Sequence, residues 1–144
     1  MARLLSMLLL GLTGLTTLPA MAGDVAKRNY LLHCSGCHQA DGSGSAENGI
    51  PDMRRNLGHF LRTADGRAFV VQVPGTSQSA LGHAEVADLL NWLLPAISAA
   101  EVPPGFQPFS AAEVAAYRGA PLPDVFATRG RIVEAVRGLG YPLQ

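Results

Sequence analysis

The chain's only two cysteines, Cys34 and Cys37, are separated by two residues and followed at once by His38. A Cys-x-x-Cys-His run lets two thiols add to the two vinyl groups of one haem while the adjoining imidazole meets its iron. No other short feature constrains the fold so tightly. A covalently held macrocycle is a large apolar plug, and it allows short helices to pack in a chain too small to bury much surface alone.

Other chemistries use the same two cysteines but leave more unexplained. A thiol redox pair belongs at a helix N-terminus in a βαβ unit, whereas a helix-like stretch leads into Cys34. A structural zinc ion needs four ligands, usually with a second Cys/His pair at finger spacing, and the chain has only these two cysteines; His33 could be recruited, but its only close partners are the same cysteines. A disulfide across two intervening residues is strained and gives His38 no role.

Residues 1–22 have the three parts of a secretory signal: Arg3 in a short n-region, an apolar run from Leu4 to about Leu18, and Ala20-Met21-Ala22 as a small-x-small cleavage site. The apolar run is roughly 15 residues, short of the ~20 that a spanning helix needs, and Gly11 and Gly14 interrupt it. The apolar stretch over residues 89–97 is broken by Asn91 and Pro95 and cannot span a bilayer either. An exported, soluble, periplasmic protein with no membrane span after signal removal is expected. Export agrees with the motif, because c-type haem is attached outside the cytoplasm.

Removing the signal leaves about 120 residues, enough for one modest domain. The 11 basic and 11 acidic residues balance, so no basic surface for nucleic acid is expected. Asp24 can cap a first helix that delivers the motif at its C-terminal end. A short helix is expected after Asp52, with Leu57, Phe60 and Leu61 inward. The β-branched run 68–73, between Gly66 and Pro74-Gly75, reads as extended or a short strand. Val86, Leu89, Leu90, Leu93 and Leu94 recur at helical spacing, with Gly82 or Ser79 as start and Pro95 as stop. Ser110 and Glu113 form a capping box opening a helix to about Arg118, and a last helix is expected from about Val125 to Arg137, ending at Gly138. The sum is all-α with one short extended segment, divided into a signal (1–22), a haem domain (23–98) and a Pro-containing linker with helical extension (99–144).

With the motif closing an N-terminal helix and a second long helix over residues 81–94, the chain resembles a class I monohaem cytochrome c over residues 24–96. The resemblance rests mainly on Cys34, Cys37 and His38 and implies one haem c, bound through the two thioethers with His38 as an iron ligand. It further implies that a proline roughly a dozen residues after that histidine offers its carbonyl to the second ring nitrogen, which points to Pro51 or its neighbour. In this family a methionine before the last core helix commonly supplies the sixth ligand. Residues 73–81 occupy that place and contain none.

Met53 is the only methionine after the signal, and its position two residues past Pro51 suits packing on the His38 side better than ligation. His83 and His59 are the substitutes, the first near the start of a helix and the second expected on a surface helix. His33 adjoins the motif and is expected to pack or face solvent. An open sixth position is the remaining possibility. The resemblance therefore implies an electron carrier between a donor dehydrogenase and an oxidase, other cytochrome or other acceptor, not an enzyme. The alternatives are a haem enzyme or small-gas-binding protein, in which Arg54, Arg55 or Arg62 would assist a distal histidine, and a haem subunit of a dehydrogenase complex.

Overall fold

The computed structural model describes residues 20–143, so the expected signal lies almost wholly outside the described residues. Regular structure among the described residues is helical: α1 (Ala20–His33), α2 (Ser35–His38), α3 (Leu57–Phe60), α4 (Ala64–Gln72), α5 (Pro74–Ser77), α6 (His83–Ile97), α7 (Ala111–Arg118) and α8 (Val125–Gly138), with a 3₁₀ turn at Ala46–Asn48. The single β-type contact among the described residues is an isolated bridge between Ser45 and Ile50.

The centre is α6. Its apolar stripe, spaced at three and four residues, buries Val86, Ala87, Leu89, Leu90, Leu93 and Leu94. Glu85 helps to start it by accepting the Gly82 backbone N–H at 2.8 Å. Pro95 does not stop it as expected, and the helix runs on to Ile97. A proline this near the end removes only one ladder bond, so the last turn survives. Helix α1 packs along α6, with Tyr30 buried and its ring centroid 6.0 Å from that of Trp92.

The extended segment expected over residues 68–73 is instead the second half of α4. Two forces outweigh the β-branched preference. Thr63 caps the helix, its side chain accepting the Gly66 N–H at 3.0 Å, and Asp65 sits in the first turn. Phe69, Val70 and Val71 are then buried together, Phe69 stacked on Phe60 at 5.5 Å.

Residues 99–143 join the same apolar cluster: Phe109, Val114, Ile132, Val133, Val136 and Leu143 lie in it with the α6 stripe. Asn91 docks the linker onto α6 by pairing both its amide groups with the Phe109 backbone, at 2.7 and 3.0 Å. Ser110 caps α7 through the Glu113 N–H, and the Ser110 backbone acts weakly on the Glu113 carboxylate in return. The strong partner of that carboxylate is Arg67 of α4, through two charged bonds at 2.6 and 2.8 Å. Asp124 caps α8, accepting the Ala127 N–H at 2.8 Å. No helix among the described residues is long and apolar enough to cross a membrane.

Leu94 is 0% exposed at the heart of the stripe. Leu94→Ala is expected to cost about 3 kcal/mol and lower the thermal midpoint by roughly 10 °C, measured by circular dichroism. A loss below 1 kcal/mol would contradict this placement of the core.

Candidate functional site

The motif forms its own helical turn. Cys34 takes over from the last turn of α1 by donating its N–H to the Tyr30 carbonyl at 2.9 Å, and the His38 N–H returns to the Cys34 carbonyl at 3.0 Å. Residues i, i+3 and i+4 share one side of such a turn, so Cys34, Cys37 and His38 project together. Both thiols are free, Cys34 half-buried and Cys37 exposed. Burial pushes the Cys34 thiol up.

His38 is half-buried, and its Nδ1 is buried without a hydrogen-bond partner among the described residues. Burial holds its pKa below the usual imidazole value, while the Pro51 backbone acts in the opposite sense. The Pro51 carbonyl therefore lies beside the ring without closing a well-aligned bond on Nδ1. Pro51 is the residue singled out from the sequence.

Residues 39–56 bring Pro51 there. Gln39 leaves α2 at φ 63°, and its carbonyl is held by the Tyr30 hydroxyl at 2.7 Å. The tyrosine's own pKa is pushed up to about 12, chiefly by burial. The chain then turns back: the Gly44 N–H donates to the His38 carbonyl at 3.0 Å, and Ser45 and Ile50 exchange two backbone bonds at 3.0 and 2.9 Å. Gly44 has φ 67°, and a Cβ there would lie 2.5 Å from the carbonyl oxygens of both Ile50 and Pro51. Arg54 ties the rim together, reaching Asp41 at 3.1 Å and Asp52 at 2.8 Å. These exposed pairs order the loop more than they stabilise it. The Met53 N–H donates to the Gly42 carbonyl at 2.8 Å, and the Met53 side chain packs partly buried against the core.

The other histidines are disposed differently. His33 is exposed at the end of α1, and His83 is exposed at the start of α6. His59, expected on a surface helix, is buried at 6% exposure, because Tyr141 from beyond α8 lies over it at 5.5 Å. Its Nδ1 accepts from Arg62 Nε at 3.3 Å. Arg62 also donates to the Glu101 carbonyl at 3.0 Å and lies 3.5 Å from the Tyr141 ring centre. With Arg54 held by two carboxylates, two of the three arginines named as distal assistants have other partners. Arg55 is exposed, its backbone N–H donating to the Ile97 carbonyl at 3.3 Å.

A cleft of about 730 Å³ lies elsewhere, lined by Arg62, Arg67, Phe106, Glu113 and Tyr141 among others and by no motif residue. Arg67 and Glu113 are spent on each other, and Arg62 is engaged by His59, the Glu101 carbonyl and Tyr141, so the cleft offers little to a polar ligand. Among the described residues no three His, Cys, Asp or Glu side chains gather as a metal cage. Tyr30 was not singled out as a site residue, because its bond to Gln39 depends on how the chain leaves α2. No protein family, curated protein or solved structure matches the chain.

Two outcomes follow from this geometry. Gly44→Ala should destabilise the protein by about 2 kcal/mol in urea unfolding, through a left-handed alanine and two carbonyl clashes; an unchanged midpoint would refute the close approach. Burial, with the Arg62 charge, holds the His59 pKa below the ordinary 6.5. The unfolded chain then takes up the proton first, so this contribution to stability is present above about pH 6.5 and lost as the pH falls below it. The thermal midpoint should accordingly fall more between pH 7.5 and 5 in the wild type than in His59→Gln; equal slopes would exclude a buried, neutral imidazole.

Proposed function

We propose that the chain is an exported, periplasmic c-type cytochrome of the class I kind that carries single electrons between a donor dehydrogenase and a downstream acceptor. One haem c is held through Cys34 and Cys37, and His38 is its protein ligand. The observation that carries this reading is the joint projection of two free thiols and an imidazole from one turn, with a buried, unpartnered ring nitrogen beside the Pro51 carbonyl. The donor set suits the group. The haem would supply a one-electron Fe(III)/Fe(II) couple.

The chain's own residues account for the rest of this chemistry. Each thiol adds across one vinyl group, its sulfur forming a C–S bond and its proton passing to the neighbouring carbon, with no oxidant required. A proton on His38 Nδ1 directed at Pro51 leaves Nε2 free as the iron donor and strengthens it. Residues 39–56, tied at Gln39, Gly44 and Met53, keep that imidazole in place. No acid or base beyond these is needed for electron transfer, and the docked partners would be other redox proteins rather than nucleic acid.

A second reading, binding of a small gas or peroxide at an open sixth position, is favoured by two observations: His59 is buried with its Nδ1 engaged by Arg62, and Met53 packs partly buried against the core.

Acid–acetone extraction of the exported holoprotein tests the main reading. The haem is expected to stay with the polypeptide in the wild type and to be released from Cys34→Ser/Cys37→Ser. Haem lost from the wild type into the solvent would refute covalent attachment. A reduced-form spectrum unchanged by carbon monoxide would count against the second reading.

A further inference from the structure

We propose that Arg118 is a positioning residue: it clamps the segment between α5 and α6 and thereby controls access to the sixth iron position. This rests on the haem reading above, in which residues 73–81 occupy the place where the sixth ligand is expected. The guanidinium comes from the last turn of α7, outside the part of the chain that resembles a cytochrome c.

Arg118 donates to four backbone carbonyls of one short stretch: Ser77 at 3.0 Å, Leu81 at 2.7 Å, Ser79 at 2.7 Å and Thr76 at 3.3 Å. It also reaches the Ser79 hydroxyl at 3.2 Å. Five N–H donors in a rigid planar fork suit such a set, which a lysine's single ammonium cannot span. The Ser77, Ser79 and Leu81 carbonyls accept from no other donor among the described residues. Without Arg118 these three carbonyls would be left to water, and the segment would lose its long-range polar tie to α7.

The clamp is itself anchored. Val114 of α7 is 0% exposed, Glu113 holds Arg67 of α4, and Gln72 at the end of α4 donates to the Ala120 carbonyl at 2.7 Å. Residues 76–81 are thus tied through one cation to a helix some forty residues downstream.

The same guanidinium also borders His83: its Nη1 lies 3.5 Å from His83 Nδ1, at the outer limit of a hydrogen bond, on the exposed first turn of α6.

The test compares the wild-type holoprotein with Arg118→Gln and Arg118→Lys, using amide hydrogen exchange and the rate of imidazole binding to the ferric form. Exchange over residues 76–82 should quicken more than tenfold in both variants while α1 and the middle of α6 stay unchanged, and imidazole should bind more than tenfold faster. Arg118→Lys keeps the charge and guards against a misfolded Gln variant. Unchanged exchange in both variants would overturn the clamp, as would equal acceleration throughout α6. Faster exchange with an unchanged imidazole rate would overturn control of the sixth position and leave only a structural tie. Should the wild type carry no covalent haem, the haem reading fails and the iron-side role with it, whereas the exchange comparison decides the clamp on its own.

Discussion

Tyr30 joins the core to the motif. Its ring is buried between α1 and α6 against Trp92, while its hydroxyl, at the far end of the same rigid side chain, holds the Gln39 carbonyl just past His38. A phenol buried in this way keeps its proton, its pKa pushed up to about 12, so the bond persists across the physiological range. The site inherits its orientation from this link. The turn carrying Cys34, Cys37 and His38 is otherwise met, among the described residues, by the Pro51 backbone beside the His38 ring, and residues 39–56 begin from the carbonyl that Tyr30 fixes.

The elements that could be read in advance are those whose signals are local. The α6 stripe repeats at helical spacing, and Ser110 opens α7 three residues before Glu113. What could not be read depends on partners far away in sequence. α4 contains a β-branched run that argues for a strand, and only the Thr63 cap and the Phe60–Phe69 stack decide for helix. His59 reads as a surface residue until Tyr141, from beyond α8, closes over it. Glu113 fits a reciprocal capping box, yet its carboxylate is held chiefly by Arg67 and only weakly by the Ser110 backbone, because two charged bonds to a guanidinium exceed one bond to a backbone N–H.

Residues 99–143 are more than a trailing segment. They bury Phe109, Val114, Ile132, Val133 and Val136 in the cluster that contains the α6 stripe, and they supply polar ties to α4 and α6 that earlier residues do not. The Arg67–Glu113 pair is partly sheltered, with side-chain exposures of 19% and 24%, so its two charged bonds are screened less than those of the Arg54 rim. Removing one partner would leave the other's charge half-buried and uncompensated.

In the haem reading, the two faces of the macrocycle would then be supported by different physics. On the His38 side, many short-range backbone bonds within residues 38–56 share the load, and each can fray without releasing Pro51. On the other side, residues 76–81 keep their own turn bonds and the buried Leu81, and one cation from a distant helix gathers the Ser77, Ser79 and Leu81 carbonyls. Support of the first kind is spread over many bonds, whereas this long-range tie is concentrated in one guanidinium. A protein built for electron transfer gains from the rigid side, since the iron ligand must not rearrange between oxidation states. In that reading the concentrated tie on the opposite side would confine opening to the face where a small ligand could enter, and would leave the turn carrying Cys34, Cys37 and His38 untouched.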